Sequence, residues 1–191
     1  MKRPVFQQPG RFTLPRGFRG RSSITVQLWW IIQATAFALS PQIFYRWRVF
    51  LLRLFGAQIG CNCLIRPSVR VTYPWKVKIG SNVWIGDHAE LYSLGEIEIG
   101  DDVVISQKSY ICAATHDTGK ASFDMIDRKV TIEDQVWLAT DVFVAPGVTI
   151  GRGALVGARS SVFNDMKRGM ICIGTPARPI KERLYESVEE V

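Results

Sequence analysis

Ile79-Gly80-Ser81-Asn82-Val83-Trp84-Ile85-Gly86-Asp87-His88-Ala89-Glu90-Leu91 sets an aliphatic residue at every sixth position, with a small or branched residue, Val83 or Ala89, four places later. Upstream the same row holds Ile59, Ile65, Val71 and Val77 before a slip of two residues to Ile79. Downstream it passes through Ile97, slips again to Ile99, and continues through Ile105 and Ile111. After one interruption it resumes at Ile132, Leu138, Val144, Ile150, Val156 and Val162. An amphipathic helix needs apolar spacings of three and four, and a surface strand needs alternation. A period of six is neither. It fits a short strand followed by a tight corner, where glycine accepts crowded or left-handed backbone, as in Ile85-Gly86 and Ile150-Gly151.

Three such units make one triangular coil, and coils stack at the spacing of paired strands, about 4.8 Å. The row thus predicts an all-β parallel β-helix over residues 56–180, about five coils long. The slips before Ile79 and Ile99 predict enlarged corners, whereas the step from Ile132 to Ile150 is an unexpanded coil.

Residues 1–55 form a separate N-terminal extension. Residues 1–23 are rich in Gly, Pro and Arg and read as extended or disordered. Two helices follow, over 25–39, closed by Ser40-Pro41, and over 42–55, ended by Gly56. Their aromatics, among them Trp29, Trp30, Phe44, Trp47 and Phe50, exceed what one solvated helix carries. Two roles are open to the pair. It can cap the first coil, whose unpaired edge invites aggregation. It can also rest on an anionic membrane surface through Arg46, Arg48, Arg53 and neighbouring aromatics. Residues 181–191 read as an acidic tail forming a short helix.

The net charge of +7 is unevenly spread: no acidic residue precedes Asp87, while the remainder is net acidic. A basic front suits nucleic acid, anionic lipid or a phosphorylated glycan carrier. No nucleic-acid partner is expected, because no reading helix, zinc knuckle or stacking sheet is legible. Cys61, Cys63, Cys112 and Cys172 match neither a zinc site nor a disulfide framework and read as small buried thiols in a reducing compartment. The apolar run from Ile24 to Leu39 is interrupted by Gln27, Gln33 and Thr35 and is shorter than the roughly 20 residues of a spanning helix. It is read as neither signal peptide nor anchor.

The repeat breaks between Ile111 and Val130, and the inserted loop, 113–130, carries Thr115-His116-Asp117. Loops thrown out from a rigid scaffold are where function concentrates. The chain has two histidines, His88 and His116. A loop histidine alone is more often incidental than catalytic.

Ile85-Gly86-Asp87-His88, Leu91-Tyr92-Ser93-Leu94-Gly95, Val104-Ile105-Ser106-Gln107 and Thr115-His116-Asp117 resemble the sugar O-acetyltransferases of the left-handed β-helix, hexapeptide-repeat kind, and most of all the colanic acid biosynthesis acetyltransferases. The resemblance covers residues 56 to about 181 and supplies the handedness. It implies that acetyl-CoA is the acyl donor, that no metal is needed, and that His116 is the general base. An imidazole with a pKa near 6.5 can take the proton of a hydroxyl as it attacks a thioester. By the same resemblance Trp137, Ala139, Thr140, Gly157 and Ala158 fall at the cofactor groove, and Arg178 and Lys181 can pair with nucleotide phosphates. Asp87, Glu90, Tyr92 and Asp117 are acceptor-side candidates.

Departures from the family are visible. Asp87-His88 stand where maltose- and galactoside-type relatives carry an Asn, and Phe163-Asn164 replace a Thr-Lys pair. The resemblance further implies a homotrimer whose active sites lie between neighbouring prisms, a sugar or glycan acceptor, free or lipid-linked, and a cytoplasmic protein, peripheral at the inner membrane face if the helices rest there. N-acetylation of an amino sugar and a non-catalytic scaffold stay open as alternatives. The gamma-type carbonic anhydrases of this fold bind zinc through three histidines, one more than this chain possesses.

Overall fold

A computed structural model of the chain describes residues 5–186. It forms a parallel β-helix of triangular section. Strands Gln58–Ile59, Val77–Ile79, Ile97–Ile99, Val130–Ile132 and Thr149–Ile150 stack in parallel as the first face. The second face holds Leu64–Ile65, Trp84–Ile85, Val104–Ile105, Trp137–Leu138, Leu155–Val156 and Met170–Ile173 in parallel, with Arg178–Glu182 antiparallel at its end. Arg70–Val71, Glu90–Tyr92, Tyr110–Cys112, Phe143–Val144 and Ser161–Val162 form the third.

Every aliphatic residue of the six-residue row, from Ile59 to Val162, points inward and is buried. The slips have a simple cause: Val77–Ile79 and Ile97–Ile99 are three residues long, so both ends of each strand face the core. The enlarged corners precede these strands. One contains the 3₁₀ turn Pro74–Lys76, and the two are tied together by Ser93 Oγ, which accepts from Tyr73 N at 2.8 Å and donates to Tyr73 O at 3.0 Å. The corner before the second face is held in left-handed backbone by Asn62, Asn82, Asp102 and Gln135, stacked coil on coil. His88, at φ +58°, belongs to a matching column with Lys108, Asp141 and Arg159.

The helices are shorter than their sequence suggests. Helix α1 spans Ser23–Ile32, with Ser22 Oγ accepting from Thr25 N, and gives way to a π-helical turn, Gln33–Phe37; helix α2 spans Tyr45–Leu54. Trp29, Phe37, Val49, Leu51 and Leu52 join one continuous core with the coils. In the ladder, the carbonyls of inward residues accept N–H groups from the preceding coil, as Ile79 O does from Gly60 N and Ile85 O from Arg66 N. The first coil has no predecessor, and side chains supply the missing donors. Arg53 donates to Ile59 O, Arg48 Nε to Ile65 O at 2.6 Å, and Trp29 Nε1 to Val71 O at 2.8 Å, one on each face. Gln33 Oε1 accepts from Val71 N. Arg48 also donates to Ser40 Oγ, Pro41 O and Gln42 O and is wholly buried, at the cost of a guanidinium pKa pushed down by desolvation.

Several expectations are corrected. Arg48 and Arg53 both donate to the first coil; Arg48 is buried in doing so, whereas Arg53 stays exposed, as Arg46 does. Residues 5–21 combine extended stretches with a 3₁₀ turn, Pro9–Arg11, and are moored: Trp75 Nε1 donates to Arg19 O and Lys76 Nζ to Phe18 O. Cys61 is exposed, whereas Cys63 and Cys172 are buried, with thiol pKa values raised by desolvation. The tail contributes the strand Arg178–Glu182 in place of a helix, because it covers the last rung, Met170–Ile173; residues 187–191 of that expected helix lie outside the described residues.

Replacing Arg48 by Ala removes the donor from Ile65 O and from three acceptors around it. Chemical denaturation is expected to show a loss of about 3 kcal/mol. A Cβ on Gly86 would lie 2.6 Å from Gln107 N, whereas one on Gly10 would meet nothing within 4 Å. Gly86→Ala is therefore expected to lower the melting temperature by several degrees, at a cost of about 1–3 kcal/mol, and Gly10→Ala to leave it unchanged.

Candidate active site

The interruption of the repeat is an antiparallel hairpin, Ala114–His116 against Met125–Asp127, leaving the corner between the third and first faces. His116 ends its first strand and is half-buried. Its Nδ1 lies 2.7 Å from Phe123 O, and its ring stacks on Phe123 with centroids 3.9 Å apart and planes at 12°. A carbonyl oxygen can only accept, so in the neutral ring this contact puts the proton on Nδ1 and makes Nε2 the lone-pair nitrogen. Phe123 is at φ +56°, and that backbone turns its carbonyl toward the imidazole. Phe12, from the N-terminal arm, meets the imidazole edge-on at 6.2 Å and 71°.

Asp117 closes the hairpin loop. Its N–H donates to Asp124 O, and its carboxylate accepts from Gly119 N at 2.9 Å and lies 3.8 Å from Lys120 Nζ. Asp87 lies at the corner between second and third faces, where it accepts from Ser68 Oγ at 2.8 Å and faces Arg66 at 3.5 Å. Glu90 and Tyr92 stand on the outer side of the third face and line a cavity of about 580 Å³ shared with Trp30 and Arg70.

The candidates for the cofactor share one wall. Trp137 and Lys181 lie on strands of the second face, Ala139 and Thr140 follow Trp137–Leu138, and Gly157 and Ala158 follow the neighbouring strand Leu155–Val156. Arg178 opens the last strand, exposed. Small residues keep the wall open, and Gly157 has no room for more: a Cβ there would meet Ile173 Cγ2 at 2.5 Å. Trp137 is 41% exposed and donates from Nε1 to Ser106 Oγ at 3.0 Å. Its counterpart two strands away, Trp84, is 55% exposed in register with Val104 and Trp137. Trp84 was legible, because it precedes Ile85 as Trp137 precedes Leu138, the outward place of the repeat. Phe12 and Phe123 gave no such signal.

The hairpin and this wall do not meet at one corner. In a triangular section, the vertex between the third and first faces is the one opposite the second face. The structure thus groups the cofactor candidates along the second face and its corner with the third, and places His116 and Asp117 at a different vertex.

No family model matches the chain. The chain is 58% identical over 173 residues to an Escherichia coli K12 protein assigned as the colanic acid biosynthesis acetyltransferase WcaF, a match covering 91% of this chain and 95% of that protein. The galactoside O-acetyltransferase of Lactococcus lactis is 30% identical over 141 residues, covering 72% of this chain and 68% of that protein. Among solved structures, a galactoside acetyltransferase in complex with coenzyme A aligns with a TM-score of 0.77 at 24% identity, over 88% of this chain and 83% of that one. The hexapeptide-repeat acetyltransferase VCA0836 of Vibrio cholerae complexed with acetyl-CoA gives 0.77 at 24% identity, over 87% and 92%. The structures share the fold, and the first relative matches nearly end to end: the chain belongs to the hexapeptide-repeat acetyltransferases.

Proposed function

We propose that this enzyme is an O-acetyltransferase that moves the acetyl group of acetyl-CoA to a hydroxyl of a surface glycan precursor, with His116 as general base. The observation that carries the reading is the 2.7 Å contact of His116 Nδ1 with Phe123 O, which in the neutral ring favours the proton on Nδ1 and leaves Nε2 without a hydrogen-bond partner among the described residues. Nε2 takes the hydroxyl proton as the sugar oxygen attacks the thioester carbonyl carbon. The tetrahedral intermediate then expels the CoA sulfur, and the imidazolium returns the proton to it, giving the acetyl ester and free CoA. Backbone N–H groups stabilise the developing oxyanion. The outer wall around Trp137, Ala139, Thr140, Gly157 and Ala158 receives the pantetheine arm, and Arg178 and Lys181 receive the nucleotide phosphates.

Because the base projects from a different vertex of the prism than the one that borders that wall, the site is best completed between two prisms, His116 of one chain facing the wall of the next; a homotrimer closes such heterologous contacts into a ring. The relative assigned to colanic acid biosynthesis favours an exopolysaccharide or related glycan as acceptor, and the galactoside O-acetyltransferase relative favours oxygen as the acetylated atom.

The outer side of the helices supplies a setting for that acceptor. Ile24, Ile31, Leu39, Ile43, Phe50 and Leu54 are each more than half exposed, in a segment without an acidic residue. Such a surface suits peripheral contact with anionic lipid, where a lipid-linked glycan is presented.

With acetyl-CoA and a panel of free and lipid-linked glycan precursors, the native protein is expected to release CoA and form an alkali-labile ester. His116→Ala is expected to lower kcat by about 10²- to 10⁴-fold while acetyl-CoA still binds. An alkali-stable amide product refutes O-transfer, and full turnover by the variant refutes the base.

In flotation, the protein is expected to rise with phosphatidylglycerol vesicles more than with neutral ones. Ile31→Asp combined with Ile43→Asp is expected to abolish this without reducing turnover of a soluble acceptor. Equal flotation by native and variant protein speaks against the membrane contact.

A further inference from the structure

We propose that Phe12 is a positioning residue for His116, so that the N-terminal arm belongs to the catalytic machinery although it lies more than a hundred residues from the hairpin in sequence. The inference rests on the reading of His116 as the base. One side of the imidazole is covered by the Phe123 ring at 3.9 Å, and its Nδ1 is tied to Phe123 O. Both restraints come from one residue, in a turn at the tip of an excursion that makes only two short strands. A single residue on a loop holds a ring loosely, because stack and hydrogen bond are lost together when the turn shifts. Phe12 supplies a restraint from a different part of the chain, with its ring edge-on to the imidazole at 6.2 Å, a geometry that aromatic pairs favour.

The arm is held at both ends of the stretch that carries Phe12. On one side Gln8 N donates to Ala121 O at 2.6 Å, which joins the arm to the hairpin loop. On the other, Phe18 O and Arg19 O accept from Lys76 Nζ and Trp75 Nε1 in the first enlarged corner, and Lys76 lies 4.8 Å over the Phe18 ring. Between these moorings the 3₁₀ turn Pro9–Arg11 delivers Phe12 to the imidazole. The arm thus spans from the rigid prism to the tip of the loop and limits how far Nε2 can wander from the acceptor hydroxyl. A misplacement of about 1 Å at such a site can cost about 100-fold in rate.

Two readouts test this, and one is independent of turnover. Isotope-labelled histidine gives one imidazole spin system for each of the two histidines, and His88 lies in an exposed corner away from the hairpin. In Phe12→Ala, the His116 signals are expected to broaden and to gain the Nε2–H tautomer, with those of His88 unchanged. In steady-state kinetics the same variant is expected to lose about tenfold in kcat at unchanged KM for acetyl-CoA and unchanged melting temperature. Phe12→Tyr is expected to restore kcat, and Arg16→Ala, an exposed change in the same arm, to match the native enzyme. Native-like His116 signals and kcat in Phe12→Ala overturn the proposal. A parallel fall in melting temperature, with both KM values raised, also overturns it, in favour of a structural arm. A failure of the base assignment is seen separately, as full activity in His116→Ala.

Discussion

Each coil of this enzyme satisfies its backbone only by handing hydrogen bonds to the next, and the first coil has no neighbour on its outer side. The rest of the structure depends on how that open edge is closed. Three donors from the N-terminal helices, Arg53, Arg48 and Trp29, complete the three faces in turn, and Gln33 accepts from Val71 N. Arg48 shows what this demands. A guanidinium is withdrawn from water with no carboxylate partner among the described residues, and four oxygens replace its hydration. An uncovered edge of this kind would template pairing with another chain. At the far end the same problem is met by backbone, with Arg178–Glu182 turned back against Met170–Ile173.

The prism was legible because its defining interaction is periodic. A coil has three faces with one inward aliphatic each, so residues from Ile59 to Val162 announce their burial by spacing alone. Even the irregularities carried information, since each slip of two marks a strand long enough to turn two side chains inward. The cap was legible in outline from its surplus aromatics. The use of its arginines was not, because a cation beside aromatics looks alike whether it faces lipid or a row of carbonyls. The helix ends were misplaced for a similar reason. Gln33–Phe37 continues the helical pattern in sequence, while the backbone widens into a π turn as Gln33 reaches Val71 N.

At the site, legibility divides along the same line. Residues on the periodic wall, such as Trp137, Ala139 and Thr140, could be placed by register, and Trp84 could have been. His116 was found through its motif and its position where the period fails. Its environment was hidden, because Phe123 contributes through a left-handed backbone unusual for an aromatic residue, and Phe12 through the path of an arm without periodicity. Asp117 was visible only as the neighbour of His116, and the hydrogen bond by which its carboxylate holds the hairpin loop through Gly119 N left no mark in the sequence.

The hairpin leaves the prism at the vertex between the third and first faces. Ile97–Ile99 pairs with Val130–Ile132 in the same register in which Val77–Ile79 pairs with Ile97–Ile99, although the first step spans 33 residues and the second 20. The stacked rungs are therefore indifferent to how much chain is spent outside that vertex. Natural variation can lengthen, shorten or exchange the excursion while the load on the scaffold stays constant. A protein built this way can remodel one corner of its surface while the order and register of its core stay as they are.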